Sequence, residues 1–307
     1  KTATTSIDFA ATTPTTTATG FSSFRDTYRR TYSNELIYRI YNYNSSSVLS
    51  STAGTFGFAG SLLEIRKFSN SGTAGTIILS GTVGNTSALT SLTTNAGGTT
   101  AINGASVRTS GAQTYNDDVT LGAGTTITTT SNGSISFAGT VTGIQTLSIT
   151  TNGTGTTTFT GAVGATNAPT SITISTDVLT AAAIKISGAL SVTNANVSTG
   201  STITGIISNG TSAASLTKAG AGKLTLSGVN TYTGVTTINA GTLSVGTIGD
   251  GGVAGNLGQA TNSASNLVLG GGTLQYTGST ASTDRNFTIT AGTTGTFDIT
   301  TNTLTIS

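Results

Sequence analysis

The sequence predicts an all-β protein built as a parallel β-helix, a β-solenoid with a cap-like segment at its N-terminus. Three observations carry this: apolar residues paired at strand spacing, glycine and asparagine between the pairs, and a strand ending that recurs along the chain. The stretch 218–245, KAGAGKLTLSGVNTYTGVTTINAGTLSV, shows all three. It has no acidic residue and only two lysines, yet LTL, TTIN and TLSV are each set off by a glycine turn.

The ending apolar-x-Gly occurs at Leu79-Ser80-Gly81, Phe137-Ala138-Gly139, Phe159-Thr160-Gly161, Ile186-Ser187-Gly188 and Leu226-Ser227-Gly228. The central intervals are 22 (137 to 159) and 27 (159 to 186), and the step from 186 to 226 is 40, twice 20. Such a period fits one coil of three short strands joined at corners. It is too short for a propeller blade of ~40–45 residues.

Within the coils the apolar residues alternate. Leu224/Leu226, Leu243/Val245, Leu267/Leu269, Leu274/Tyr276, Phe287/Ile289, Phe297/Ile299 and Leu304/Ile306 are such pairs. Both members of a pair share one face of a strand, and the residue between them takes the other. Leu224, Leu226, Leu243, Val245, Leu267, Leu269, Leu274, Phe287, Ile289, Phe297 and Ile299 are therefore expected inside, with Thr225 and Ser244 outside. Glycine and asparagine at the corners supply the positive φ that sharp bends demand.

Stacking also explains the composition. Charged residues make up 7% of the 307, against roughly 25% in ordinary soluble domains. A charge repeated at one outward position in every coil would lie about 4.8 Å from its copies and repel them. Threonine in the same place has strand propensity and stacks without that cost. Low charge with abundant glycine also describes disordered chains, but those lack regularly spaced β-branched residues.

The near balance of 12 basic and 10 acidic residues leaves a net charge of +2. With no basic tract, nucleic acid is not an expected partner. The absence of cysteine excludes disulfides and thiolate metal sites. No apolar run approaches the ~18 residues of a membrane-spanning helix. A chain that starts at Lys1 without a signal peptide reads as a processed form or an excised piece.

Residues 1–70 differ from residues 71–307, which form the predicted β-helix. Seven of the 12 basic residues lie before residue 71. Five of the eight tyrosines lie there too, in FRDTYRRTYSNELIYRIYNYN (24–44). Two readings coexist. The segment covers the open edges and apolar core of the first coil, or it contacts a subunit or glycan, because Tyr and Arg favour interfaces. The contact candidates are Tyr28, Arg29, Arg30, Tyr32, Tyr38, Arg39, Tyr41 and Tyr43. Their composition leans towards strand rather than helix.

The run GAGKLTLSGVNTYTGVTTINAGTLSV (220–245) closely resembles the autotransporter-associated β-strand repeat of bacterial autotransporter passenger domains. GNLGQATNSASNLVLGGGTLQYTGSTASTDRNFTIT (255–290) resembles sequence that follows that repeat, so the specific likeness covers 218–290. GAQTYNDDVTLGAGTTITTTSNGSISFAGTVTG (111–143) is similar to filamentous-haemagglutinin-like surface proteins. The resemblance implies a secreted, right-handed parallel β-helix displayed at the bacterial surface, and the repeat brings no catalytic or binding residue with it. Autotransporters end in an outer-membrane barrel. No series of ~10-residue amphipathic strands with aromatic girdles occurs here, so no such anchor is expected within this chain.

β-Helix folds also host polysaccharide lyases and hydrolases. Acid–base cleavage of glycosides needs two carboxylates held at a defined separation. The acids after residue 70 are Asp117, Asp118, Asp177, Asp250, Asp284 and Asp298, and only the first two are close in sequence. Asp117 and Asp118 are expected in a solvated turn, and without histidine a general base would fall to these few acids or to lysine. GDGGVAGN (249–256) has one Asp and no tandem copy, so it reads as a loop between coils rather than a calcium turn. The Gly-x-Gly pairs lack the Lys-Ser/Thr and helix of a phosphate loop.

The expected function is non-enzymatic, with no catalytic, cofactor or metal site. It is an extracellular or cell-surface adhesin or stalk that meets a host or neighbouring cell surface, glycan or matrix. The alternative is a self-assembling subunit of an extracellular filament, sheath or surface layer, associating end to end. For that reading TNTLTIS (301–307) still reads as a coil strand and offers a template for strand addition. A polysaccharide-active β-helix enzyme is a weaker alternative. Circular dichroism should report strand with almost no helix after residue 70; a substantial helical signal from that region would overturn the fold.

Overall fold

Alternation of apolar and hydroxyl side chains makes short strands, and the corner residues bend the chain before any strand grows long. The computed structural model describes residues 76–307 except 86, 87 and 95, together with the strand segments 5–6, 28–32, 35–42, 49–50 and 62–67. The chain forms a β-solenoid of parallel strands. Among the described residues its one helical element is the 3-10 turn Ala264–Asn266. It divides into two compact units, Lys1–Gly155 and Thr156–Ser307.

In the first unit the chain visits three sheets in fixed order. Thr99–Ile102, Ser106–Thr109 and Gln113–Tyr115 make one coil. Asp118–Leu121, Thr125–Thr129 and Ile135–Phe137 make the next, and Val141–Thr142 and Thr146–Thr150 follow. Register is in line: Val119 lies between Thr100 and Val141, Ile127 between Val107 and Ile149, and Tyr115 between Thr94 and Phe137. Between residues 99 and 150 a coil takes from 19 (100 to 119) to 22 (115 to 137) residues.

In-line register stacks like on like in the core. The rings of Tyr115 and Phe137 lie parallel, centroids 4.9 Å apart. A buried phenol needs a partner, and Tyr115 donates to Gln113 Oε1 at 2.8 Å. The Gln113 amide in turn donates to the Thr128 carbonyl at 2.9 Å and to Thr109 Oγ1 at 3.1 Å. Full burial raises the Tyr115 pKa far above its ordinary value.

Earlier in this unit Tyr28–Tyr32 pairs antiparallel with Glu35–Asn42, which runs parallel to Leu62–Lys67. Leu62–Lys67 then pairs with Leu92–Thr94. The tyrosine-rich segment thus forms strands, as its composition predicts.

In the second unit one sheet comprises Thr157–Phe159, Leu179–Ala181, Ser201–Ile203, Lys223–Leu226, Thr242–Val245, Thr273–Tyr276 and Thr296–Ile299. A second comprises Ser171–Thr176, Ala189–Asn194, Ser215–Ala219, Thr236–Ile238, Leu267–Leu269 and Thr288–Ile289. The third face is sparser: Ile184–Ile186 pairs with Ile207–Asn209, and Ala281–Thr283 with Leu304–Ile306.

The register corrects the sequence period. Phe159, Ala181, Ile203 and Leu226 are the stacked equivalents, spaced 22 (159 to 181), 22 (181 to 203) and 23 (203 to 226). Ile186 belongs to a different sheet and pairs with Asn209. The interval of 27 (159 to 186) therefore joins two non-equivalent corners. An apolar-x-Gly ending marks any corner of the coil, because each corner needs the same bend.

Leu224, Leu226, Leu243, Val245, Leu267, Leu269 and Leu274 are buried, as alternation predicts. Phe287 and Ile289 are not: they are 36% and 46% exposed, and Phe297 and Ile299 are half-buried. Thr288–Ile289 is the outermost strand of its sheet and pairs on one side only, with Leu267–Leu269. Phe287 is shielded by the edge-on ring of Phe297, centroids 4.8 Å apart.

Ser244 departs in the other direction. It alternates with Leu243 and Val245 and so takes the outer face, yet it is buried. Its neighbour in the outer row, Gln275, covers it and accepts its hydroxyl proton at 2.9 Å. Thr225, in the same row, is half-buried.

Replacing Leu226 by Asp should cost several kcal/mol, because it buries an unpaired charge, whereas Asp at Thr225 should cost little. Equal losses in urea denaturation would mean that the inner and outer rows are misassigned.

Candidate functional site

Tyr28, Arg29, Arg30 and Tyr32 lie on strand Tyr28–Tyr32, and Tyr38, Arg39 and Tyr41 lie on Glu35–Asn42. Tyr43 falls outside the described residues. The backbone register sets Tyr28 opposite Arg39 and Arg29 opposite Tyr38. On the other side Arg39 pairs with Glu64, and Tyr41 with Arg66. One hairpin therefore carries the described contact candidates, and its parallel neighbour pairs Glu64 and Arg66 with it in the backbone register.

The repeat segment holds chemistry that its apparent inertness hides. At one corner of the first unit, inward threonines close the bend: the hydroxyls of Thr109, Thr129 and Thr151 donate to the carbonyls of Gly111, Gly133 and Gly155. In the second unit a row of inward corner positions reads Thr176, Asn194, then Gly220, the last following the pairing of Thr193 with Ala219. Gly220 has φ +73, and a Cβ there would collide with the Asn194 carbonyl oxygen, so no side chain fits.

Lys218 supplies the missing donor from one inward position earlier. Its side chain is buried, and Nζ donates to the carbonyls of Ala219 at 2.7 Å, Gly220 at 2.8 Å and Ala240 at 3.2 Å. Two of these carbonyls belong to its own corner and the third to the next coil, so one ammonium pins both. Burial lowers the Lys218 pKa to about 8, which leaves the group charged at neutral pH. The sequence signal for this was parity: Lys218 stands two residues after Leu216, at an inward position.

The loop between Thr242–Val245 and Leu267–Leu269 is held from within by Arg285. Nε donates to the Gly249 carbonyl at 2.8 Å and Nη1 to Ala260 at 3.2 Å. Nη2 donates to Val253 at 3.1 Å and Gly258 at 2.8 Å. The guanidinium fork thus satisfies four carbonyls that leave the regular ladder. Burial lowers its pKa, while Tyr232, Asp284 and Asp250 pull the other way.

Asn256 fastens the same loop, accepting from the Gly246 and Thr247 N–H groups and donating to the Gly228 carbonyl. Gly258 sits where a Cβ would lie 2.7 Å from the Tyr232 ring. Tyr232 shares a hydrogen bond with Thr236 Oγ1 at 2.7 Å, and burial pushes its pKa up to about 12. The reading of 249–256 as a loop between coils holds.

The carboxylates are spent on bracing. Asp117 is not solvated, as its turn-like sequence suggests, but buried. It accepts from Gly98 N–H at 3.0 Å and from the Thr100 hydroxyl at 3.4 Å, in the preceding coil. Asp118 reaches the following coil and accepts from Thr140 N–H and its hydroxyl. Adjacent residues face opposite ways on a strand, so the two carboxylates diverge. Asp177 accepts from Asn196, Asp250 from Asp284 N–H, Asp284 from Gly251 N–H and Asn262, and Asp298 from Gln275.

Residues 216–245 match the family model described as Passenger-associated-transport-repeat. The chain is also similar to the Adhesin BmaC autotransporter of Brucella suis biovar 1 (strain 1330), at 46% identity over 91 residues, which is 30% of this chain and 3% of that protein. The chain thus spans a small fraction of the length of the curated relative that it matches. No solved structure matches it. The repeat and the relative, found in a parallel β-solenoid, indicate a secreted, cell-surface protein that carries a passenger-associated repeat.

Lys218→Met should destabilise the chain by about 2–4 kcal/mol, because it removes a donor from three carbonyls. The pH dependence follows from the lowered pKa. Between pH 8 and the ordinary lysine value of 10.5 the unfolded chain binds the proton that the folded chain has lost. Stability contributed at this site therefore rises with pH through that window. The gap in melting temperature between wild type and Lys218→Met should widen from pH 8 to 10. A narrowing gap would mean that the carbonyl cage, not desolvation, governs the proton.

Proposed function

We propose that this chain is a non-enzymatic section of a surface-displayed adhesin or of the stalk that carries one. The observation that carries the reading is the use of its acids. All six carboxylates after residue 70 accept hydrogen bonds from neighbouring coils or loops. The passenger repeat and the likeness to a protein named as an autotransporter adhesin support the same reading.

Residues 1–70 are the contact and capping segment in this proposal, and residues 71–307 the β-helix that presents it. The hairpin places Tyr28, Arg29, Arg30, Tyr32, Tyr38, Arg39 and Tyr41 on two paired strands, and Tyr and Arg are the residue types that dominate binding hot spots. Tyr43 follows it in sequence. The partner is a host or neighbouring cell surface, presented as glycan or matrix.

The purified chain should remain monomeric by light scattering and adhere to cells or to matrix-coated surfaces. Deleting residues 1–43 should abolish adhesion while the strand signal in circular dichroism persists. Adhesion that survives the deletion would remove the contact role of this segment. Fibres formed by the full chain and lost on deletion would favour the self-assembling filament instead.

A further inference from the structure

Asn-Gly sequences occur at four corners among the described residues: Asn103-Gly104, Asn132-Gly133, Asn152-Gly153 and Asn209-Gly210. Each is chemically able to cyclise, because glycine has no Cβ to hinder attack by its nitrogen on the preceding carboxamide. The fold treats the four differently. Gly104 N–H is committed to the Leu79 carbonyl at 2.8 Å, and Gly210 N–H to the Ile186 carbonyl at 2.7 Å, both in the preceding coil. At Asn132 the carboxamide oxygen turns to the following coil and accepts from Thr154 N–H at 3.1 Å, and Gly133 is buried.

Asn152 is the exception. It and Gly153 are exposed, and Gly153 N–H makes no bond to another coil. It donates instead to Asn152 Oδ1 at 2.8 Å, so the carboxamide lies folded over the nitrogen that would attack it. The turn is closed by Gly155 N–H on the Asn152 carbonyl at 3.1 Å and places Gly153 at φ +58. Reactive atoms held in contact need little rearrangement to meet.

We propose that Asn152 is a site of spontaneous backbone modification, the first of the four to convert to aspartate and isoaspartate. The Gly153 nitrogen attacks Cγ of Asn152 and a C–N bond forms. The bond from Cγ to Nδ2 breaks, and Nδ2 leaves as ammonia with the proton released by the Gly153 nitrogen. One water then opens the cyclic imide at either carbonyl, giving aspartate or isoaspartate. No reagent other than water is needed.

The change alters the corner. Asn152 Nδ2 now donates to the Thr130 carbonyl at 3.0 Å, which ties this turn to the preceding coil. After conversion a carboxylate, which cannot donate, faces that carbonyl. Isoaspartate also lengthens the backbone of a turn that four residues close.

The test is incubation of the folded, full-length chain at pH 7.4 and pH 9, followed by peptide mapping with enzymatic isoaspartate labelling. A parallel sample is kept in urea. In urea the four sites should convert at similar rates. In the folded chain Asn152 should convert roughly tenfold or more faster than Asn103 and Asn209, because breaking one inter-coil hydrogen bond first costs about that factor. The variant Asn152→Gln, whose cyclisation would need a larger ring, should stay unmodified at that position with an unchanged strand signal. Comparable rates at Asn103, Asn132 or Asn209 in the folded chain would overturn the proposal. So would a folded chain inert at Asn152 while the urea sample reacts.

Discussion

Hydrogen bonding between successive coils is the interaction on which everything else rests. From Thr76 onward each strand's neighbours in the sheet lie a coil away in sequence, from 18 residues (Ile174 to Val192) to 31 (Val245 to Tyr276). Parallel, in-line register then puts every side chain directly beside its counterpart, about 4.8 Å away. An aromatic gains a stacking partner, as Tyr115 does in Phe137. A threonine gains a hydroxyl neighbour, while a charge would gain a like charge. The scarcity of charge is the compositional trace of that geometry.

The same geometry makes the interior partly polar. Each corner interrupts the ladder and leaves backbone groups turned inward, where an unpaired carbonyl or N–H is costly. Threonines meet this need at one corner of the first unit. Where the row reaches Gly220, and where the loop after Val245 departs from the coil, the carbonyls are too many or too far for a hydroxyl. Lys218 and Arg285 serve there, one with three donors and the other with a rigid fork. Burying a cation is tolerable because its protons meet carbonyls, three at Lys218 and four at Arg285. Asn194 Oδ1 is the exception among the described residues, a buried acceptor without a partner, and nothing in the structure offsets it.

These braces recast the carboxylates as well. An exposed pair of acids on a β-helix invites an enzymatic reading, but Asp117 and Asp118 point to opposite coils and each holds a neighbour in place. Between them they tie together coils that sheet hydrogen bonds already align, and they do so at corners, where the ladder is weakest.

Period-two alternation and glycine corners made the strands, the all-β class and the inward leucines of 224–274 legible before any coordinates, because those features depend only on local geometry. The parity of Lys218 with Leu216 was also present in the sequence, although a lysine at an inward position means nothing until its acceptors are known. What local pattern could not supply was equivalence between coils. The ending apolar-x-Gly marks every corner alike, so Ile186 could be aligned with Phe159 until the sheets separated them. Burial of Ser244 by Gln275, exposure of Phe287 and Ile289 on an outermost strand, and burial of Asp117 against the preceding coil belong to the same class. The sequence by itself determined what each residue does within its own strand. Tertiary structure alone decided which strand lies beside it, because that neighbour is a coil away and is selected by register rather than by any local preference.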